Sequence, residues 1–189
     1  MSLMKIIILG IVSIVLAGCT SIQIVHSYNP DDIKRYKKEM TAIPTNLEIG
    51  HFTYLPKSKV PQDEFDMIGV FYDSGRKIDT NISVIVENEL QRFAKFYIQK
   101  QESDTKCILN GDIYYLGWDT KHGGIGSVIN YSLTSNGEVV SKLEINHVWQ
   151  HGSFSIRTVP QKLTYSIHGN FFELLNNTNF REEIRQHCR

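Results

Sequence analysis

The chain lacks an apolar run long enough to cross a membrane as a helix. Its leading apolar stretch begins at Ile6 and ends at Leu16, whereas a membrane-spanning helix needs about 20 apolar residues. The chain also lacks an excess of charge of either sign, because 20 Lys and Arg residues balance 20 Asp and Glu residues. Nucleic-acid-binding domains typically carry a basic excess. The composition therefore argues against a helical membrane protein and predicts no nucleic-acid partner.

Motifs for catalysis are missing as well. The sequence has no Gly-x-Ser-x-Gly stretch of the kind that presents a nucleophilic serine. Gly123, Gly124 and Gly126 are not followed by the Gly-Lys-Ser/Thr of a phosphate-binding loop, so we interpret them as a flexible hairpin loop. We therefore predict a protein that is not an enzyme and has no cofactor.

The histidines do not indicate a metal site. His147 and His151 stand four residues apart without the intervening Glu of a zinc-peptidase helix. Their stretch is predicted as a strand, in which the two side chains would be too far apart to share an ion. A thiol–imidazole pair of Cys107 with His122 is also conceivable, but an oxidised cysteine could not serve as its nucleophile. No metal ligand is predicted.

What the chain does have is a secretory leader. Lys5 supplies a positive start, the following stretch to Leu16 is apolar, and the small residues Ala17 and Gly18 stand directly before Cys19. This order is typical of a signal peptide.

The residues Leu16-Ala17-Gly18-Cys19 resemble the lipobox of bacterial lipoproteins. The resemblance implies that the leader is cut before Cys19, and that the Cys19 thiol and the new amino end carry acyl groups such as palmitate. Two or more acyl chains hold a protein stably on a membrane that it does not span. The alternatives are an ordinary signal peptide and an apolar N-terminal strand with a chance cysteine.

The residues after Cys19 bear on its destination. In enteric-type bacteria an Asp next to the lipidated cysteine favours the inner membrane, and this chain has Thr20 and Ser21 there. We therefore expect an outer-membrane lipoprotein whose domain faces the periplasm, with the cell surface as the alternative. Met1 and Met4 both stay open as the natural start.

Of the three cysteines, Cys107 and Cys188 remain once Cys19 is assigned to the anchor. In an oxidising compartment an even pair of cysteines predicts a disulfide. This disulfide would close a loop of about 80 residues and stabilise the fold by roughly 4 kcal/mol in the chain-entropy model. The alternative is two unpaired thiols.

We predict a division of the chain into a signal peptide over residues 1–18, a lipidated tether over 19–45 and one domain over 46–189. A helix in the tether begins at Asn29-Pro30, because Asn is a good helix cap and proline fits the first helical turn. Its basic residues are expected to contact anionic lipid headgroups: Lys34, Arg35, Lys37 and Lys38. The alternative is a solvated helix whose charges follow the helix dipole.

Hydrophobic periodicity predicts an α+β fold. Strands are predicted over residues 47–55, 67–72, 107–118, 128–134 and 139–150. A long amphipathic helix and two shorter ones are predicted over residues 81–100, 159–175 and 180–188. Asn136-Gly137 between two β-rich stretches is a strong hairpin signal. We expect an antiparallel sheet, made of one strand and a three-stranded meander, with the helices packed on one face.

This order of elements from Leu47 to Leu175, with Asn110-Gly111-Asp112 in the strand after the long helix, resembles small outer-membrane lipoproteins. These include the YajG-like family, the auxiliary lipoproteins of ABC-type transport systems and, more distantly, the periplasmic domain of CsgG-type lipoproteins. The resemblance implies an α+β domain with a role in envelope assembly or transport without catalysis. The basic tether helix departs from that pattern.

The aromatic residues of the meander are the candidate binding residues. Tyr114, Trp118 and Trp149 combine an apolar ring with a polar atom, which suits partner interfaces; ordinary sheet packing is the alternative. Our first hypothesis is a lipoprotein that docks an envelope protein. The second is a lipoprotein that binds a lipid or a glycan between the long helix and the sheet, which would require a large apolar cavity there.

Overall fold

A computed structural model of the protein describes residues 21–22, 42–55, 77–78, 82–101, 105–119, 124–150 and 159–188. Several predicted features lie outside the described residues: the leader, Cys19, the strand over residues 67–72, and the basic helix with Lys34, Arg35, Lys37 and Lys38. Within the described segments, no helix combines the length and the apolarity needed to cross a membrane.

The described segments alternate between strands and helices. The strands are β1 (Ser21–Ile22), β2 (Ile43–Thr45), β3 (Leu47–Tyr54), β4 (Lys77–Ile78), β5 (Ile98–Lys100), β6 (Cys107–Asp119), β7 (Gly124–Ser135) and β8 (Glu138–Trp149). The helices are α1 (Ile82–Tyr97), α2 (Val159–Asn176) and α3 (Thr178–His187).

A four-stranded sheet in the order β3-β6-β7-β8 forms the centre of the fold. β6, β7 and β8 pair antiparallel, which confirms the predicted meander, and the helices pack against the sheet, which confirms the α+β class. The prediction that the whole sheet is antiparallel is wrong at β3. This strand pairs parallel to β6, with Leu47 opposite Cys107. The chain passes through α1 between these strands, and such a crossover lets the second strand run in the direction of the first.

Two further small sheets are parallel, one formed by β1 and β4 and the other by β2 and β5. β2 brings the end of the segment expected as tether into the domain. Ile43 and Thr45 of β2 are both buried.

The turn between β7 and β8 is the tight hairpin that Asn-Gly predicts. Asn136 has a φ of 50° and Gly137 a φ of 89°. Left-handed values at both central residues define the type I′ turn, whose twist matches that of the two strands. Ser135 and Glu138 form the pair that closes the hairpin.

α1 confirms the predicted amphipathic helix. Its core-facing apolar residues are buried: Ile85, Val86, Leu90, Phe93 and Tyr97. They pack in one core with Phe52 of β3 and Ile113 of β6. The helix ends at Tyr97, earlier than expected, because the next residues form β5 and pair with β2.

α2 confirms the helix predicted over residues 159–175, and α3 begins slightly before its predicted start. The cause is Asn177, whose side-chain oxygen accepts a hydrogen bond from the Phe180 N–H at 3.1 Å. This contact caps the first turn of α3, so the break between the two helices is a single residue.

Cys107 and Cys188 form the predicted disulfide, with their Cα atoms 5.5 Å apart. Both residues are buried. The Cys188 carbonyl accepts hydrogen bonds from the Thr45 hydroxyl at 3.0 Å and from the Asn46 N–H at 3.3 Å. The end of the last helix is therefore fastened to the start of the sheet both covalently and by hydrogen bonds.

Candidate functional site

The buried face of α2 is unexpectedly polar. Leu163, Ile167 and Phe171 pack into the core, but polar residues of the same helix are buried too: Thr164, Ser166, His168 and Asn170. α2 contacts the sheet as well as α1 and α3, so its burial extends around most of the helix. Buried polar groups need hydrogen-bond partners, and the partners of these residues define the candidate site.

Asn170 is the centre of what we call the buried network, formed with Ser127, Tyr131 and Ser166. The Asn170 amide donates hydrogen bonds to the carbonyls of Ile145 at 3.0 Å and Ser127 at 3.1 Å. Its side-chain oxygen accepts one from the Tyr131 hydroxyl at 2.8 Å. The Ser166 hydroxyl donates to Ser127 Oγ at 3.0 Å. These directional bonds tie α2 to β7 and β8 in one position.

His168 joins α2 to α1. Its ring stacks on Phe93 with the centroids 3.9 Å apart, and its Nε2 lies 2.6 Å from the Tyr97 hydroxyl. The pKa of His168 is lowered to about 3, first by burial and then by electrostatic interaction with His147 and Arg92. The imidazole is therefore neutral at physiological pH.

His147 of β8 packs directly on Gly169 of α2. A Cβ atom at Gly169 would overlap the His147 ring at Nε2, which explains why this helix carries a glycine in its middle. His147 Nδ1 lies 2.6 Å from Glu173 Oε1. Its Nε2 is buried and has no hydrogen-bond partner among the described residues.

The charge of Glu173 also acts on the buried network. Together with burial, which is the larger cause, it holds the pKa of Tyr131 well above its ordinary value. The Tyr131 hydroxyl therefore stays protonated and keeps donating to Asn170.

Ser127, His147 and Glu173 are the residue types of a hydrolytic triad, and Ser127 stands opposite His147 on neighbouring strands. The geometry does not support that chemistry. Ser127 is fully buried and its hydroxyl donates to the Ser166 carbonyl at 3.2 Å, whereas a nucleophile must be activated by a base within hydrogen-bond reach. What the arrangement can do is fix the orientation of α2.

A metal site is not evident in the described part of the chain, where no group of three potential ligands occurs. His147 is engaged with Glu173. His151, its potential partner in the sequence, lies outside the described residues.

One face of the sheet packs against the helices, and we call the opposite face the outer face. Three polar residues stand opposite one another on neighbouring strands, namely Asp112 of β6, Asn130 of β7 and Glu144 of β8. They belong to the outer face, because successive side chains of a strand alternate between the two faces of the sheet. Tyr114 lies on this outer face, where the Asn130 amide donates to its hydroxyl at 3.4 Å. It is buried together with Tyr115 and Val128.

Trp149 lies on the helix face instead. Its ring packs against Tyr165 of α2 with the centroids 4.9 Å apart. The Trp118 backbone stands opposite Ile125, which stands opposite Trp149, and the Trp118 side chain lies outside the described residues. The structure therefore separates Tyr114 from Trp149 and places Trp118 in register with Trp149.

Sequence reasoning missed His168 and Asn170. Apolar periodicity marks only one stripe of α2, and polar residues off that stripe are normally exposed. The signal that was available is the absence of a strongly charged face, because Ser, His and Asn occupy positions where a surface helix usually carries Lys or Glu.

No protein-family model matches the chain, and no curated protein matches it either. Among solved structures, protein XCC0632 from Xanthomonas campestris, of the family DUF330, is 13% identical with a TM-score of 0.54, and the match covers 88% of this chain and 99% of that one. A PelC dodecamer from Paraburkholderia phytofirmans is 13% identical with a TM-score of 0.35, over 73% of this chain and 93% of that one. The first match shows a shared fold, and the second is too distant to support an argument.

Proposed function

We propose that the protein is a non-catalytic lipoprotein of the cell envelope that docks a protein partner in envelope assembly or transport. The observation that carries this proposal is Leu16-Ala17-Gly18-Cys19 at the end of an apolar leader. The Cys19 acyl chains would hold the domain on a membrane, and Thr20 and Ser21 favour the outer membrane over the inner one.

The disulfide supports an envelope location. Both Cys107 and Cys188 are buried and bonded to each other, and disulfides persist in oxidising compartments such as the periplasm. A chain that passes through such a compartment needs a secretory leader, which agrees with the anchor.

The packing between the helices and the sheet supports docking over the alternative of a lipid or glycan carrier. Large side chains in this layer have no accessible surface, among them Phe52, Leu90, Phe93, Ile113 and Phe171. Water does not reach these side chains, so an acyl chain has no room beside them. A partner would instead bind to the surface, and the partly exposed Trp149 with its neighbour Tyr165 offers an aromatic contact of the type enriched in interfaces.

Anchoring is tested by feeding cells an alkyne-tagged palmitate and fractionating their membranes. Wild-type protein should carry the label and float with the outer membrane, and Cys19→Ser should lose both properties. The matched control is Cys107→Ala with Cys188→Ala, which should keep the label. A labelled Cys19→Ser chain would contradict the proposed anchor.

Docking is tested by crosslinking in intact cells followed by mass spectrometry. We expect a discrete protein partner that is crosslinked to the wild type, is lost with Cys19→Ser and is weakened with Trp149→Ala. The matched control is Tyr97→Phe, a buried aromatic change away from the surface. If a lipid or a glycan co-purifies and no protein partner is captured, the carrier alternative replaces this proposal.

A further inference from the structure

β8 is an edge strand of the described sheet, since its neighbour in the order β3-β6-β7-β8 is β7 alone. Edge strands present unpaired N–H and C=O groups that can bind another strand. Proteins commonly protect such edges by keeping them short, or with proline, charged side chains or a β-bulge. β8 spans Glu138–Trp149 without a proline and carries a bulge near its start, so the part beyond the bulge offers an edge whose charges decide which strand can pair with it.

The hairpin determines which backbone groups of β8 point outwards. A two-residue type I′ loop closes on a hydrogen-bonded pair, here Ser135 with Glu138. Hydrogen-bonded and non-hydrogen-bonded pairs then alternate. Counting along β7 from Ser135, the pair that contains Leu143 is hydrogen-bonded. The pairs that contain Lys142 and Glu144 are not hydrogen-bonded. The N–H and C=O groups of Lys142 and Glu144 therefore point away from β7.

The side chains of these two residues are complementary. Lys142 and Glu144 are both exposed, and both belong to the outer face of the sheet because they flank Leu143 on either side. Neither forms an ion pair with another described residue. In the described sheet, the edge of β8 thus carries a positive charge at Lys142 and a negative charge at Glu144, with the apolar Leu143 between them.

We propose that β8 pairs antiparallel with β8 of a second copy of this chain, about a two-fold axis that passes beside Leu143. Lys142 of each copy then stands opposite Glu144 of the other. Both of these pairs are of the hydrogen-bonded type, so the backbone bonds and the two charge pairs form together. Two four-stranded sheets become one continuous sheet, an isologous interface of the commonest symmetry.

Charge selects this register over its neighbours. An axis at Lys142 would place two lysines opposite each other, and an axis at Glu144 would place two glutamates opposite each other. Like charges directly across a strand pair are destabilising. The axis at Leu143 is the symmetric register that places both residues opposite an unlike charge.

A β-bulge limits the length of the pairing. Leu133 faces Ser141 and Thr134 faces Val139, which leaves Val140 as an inserted residue. A bulge bends its strand, so regular pairing is confined to the part of β8 that begins at Ser141. The association is therefore weak in dilute solution and depends on protein concentration.

Cysteine crosslinking of the full chain, in detergent under mild oxidation, tests the register. In Leu143→Cys the two thiols meet across the axis in a non-hydrogen-bonded pair, whose Cα atoms lie about 4.5 Å apart, within disulfide range. In the matched Lys142→Cys variant the equivalent Cα atoms lie about 8 Å apart. We expect a covalent dimer from Leu143→Cys and little from Lys142→Cys or from the unsubstituted chain.

Charge reversal tests the same pairing without a new thiol, and sedimentation equilibrium of the full chain measures it. Lys142→Glu alone and Glu144→Lys alone should each raise the dimer dissociation constant about tenfold, because both unlike pairs become like pairs. The double variant exchanges the charges and should restore dimerisation. Lys95→Glu on the exposed side of α1 is the control for net charge and should have no effect.

The pairing requires neither the lipid anchor nor an envelope partner, so its outcome is separate from theirs. A monomer at all concentrations together with no Leu143→Cys crosslink would overturn it. A stronger crosslink from Lys142→Cys than from Leu143→Cys would also overturn it, because it would place the axis elsewhere.

Discussion

α1 and α2 pack against the same sheet with different chemistry. α1 buries an apolar stripe against Phe52 and Ile113, and its polar contacts with the sheet are partly buried, where Glu87 and Ser83 accept hydrogen bonds from backbone N–H groups of β3. α2 buries Ser166, His168 and Asn170, which bond to β7, β8 and α1. Apolar contact is largely indifferent to small sliding movements, whereas hydrogen bonds in a low-dielectric interior have a fixed direction and are costly when unmade. The fully buried contacts that α1 makes with the sheet are therefore mainly apolar, whereas those of α2 include a hydrogen-bond network.

The largest expected effect comes from the apolar side. Leu90→Ala removes a fully buried side chain of α1 and should lower the free energy of unfolding by about 3 kcal/mol, the usual cost of a buried leucine truncation. Urea unfolding of the full chain measures it. Val84→Ala in the exposed part of α1 is the matched control and should cost less than about 0.5 kcal/mol. If Leu90→Ala and Val84→Ala lowered the free energy of unfolding equally, the buried stripe of α1 would not be its principal apolar contact with the sheet.

The polar side should respond nearly as strongly. Asn170→Ala leaves the buried Tyr131 hydroxyl without its acceptor and removes a second hydrogen bond from the carbonyls of Ile145 and Ser127, which together should cost about 2.5 kcal/mol. Asn176→Ala changes the same residue type at an exposed position of the same helix and is the control in the same urea experiment. A loss below 1 kcal/mol for Asn170→Ala, on the scale of an ordinary net hydrogen bond, would mean that water replaces the amide.

The two helices should also differ in their response to pH through His168. Its pKa is about 3 in the folded protein and about 6.5 in an unfolded chain, so the unfolded state binds the extra proton between these values. Stability is full above pH 6.5 and falls as the pH decreases towards 3, by about 2 kcal/mol at pH 5. His168→Gln should lose less stability than the wild type between pH 8 and pH 5 by this amount, as measured by urea unfolding at each pH. Parallel pH curves would rule out titration of His168 as the cause.

The smallest expected effect is also the one whose sign can reverse. Gly169→Ala should destabilise by about 1 kcal/mol, because displacement of the buried His147 ring outweighs the gain in helix propensity. In a His147→Ala background the obstacle is gone, and Gly169→Ala should stabilise by about 1 kcal/mol. Thermal unfolding of the four variants of this cycle measures the coupling. An unchanged sign in the two backgrounds would show that the ring is not the obstacle.

The predictability of the fold follows the same division. The stripe of α1, the Asn-Gly hairpin and the Cys107–Cys188 pair are local or countable signals, and all three are confirmed. The parallel pairing of β3 with β6 is not encoded locally, because strand direction depends on the path of the intervening chain. The partners of His168 and Asn170 come from β7, β8 and α1, so no periodicity within α2 could identify them.

Gly169 shows the limit most clearly. In the sequence, this glycine lowers the helix propensity of α2. In the structure, the absence of its side chain leaves space for the His147 ring of β8. A propensity scale assigns a cost to the glycine without registering the histidine that it accommodates.

The disulfide has a mechanical consequence. Cys107 and Cys188 are 81 residues apart in sequence, so the bridge closes the meander, α2 and α3 into a covalent ring, with the residues before Cys107 as a single lead to it. When the segment before Cys107 is pulled away from Cys188, the tension crosses the bridge directly between the two cysteines and bypasses the rest of the ring. The ring cannot lengthen while the bridge is intact, and reducing it would release chain on the order of 270 Å in length. While it is intact, the bridge thus keeps stretching forces away from the chain inside the ring.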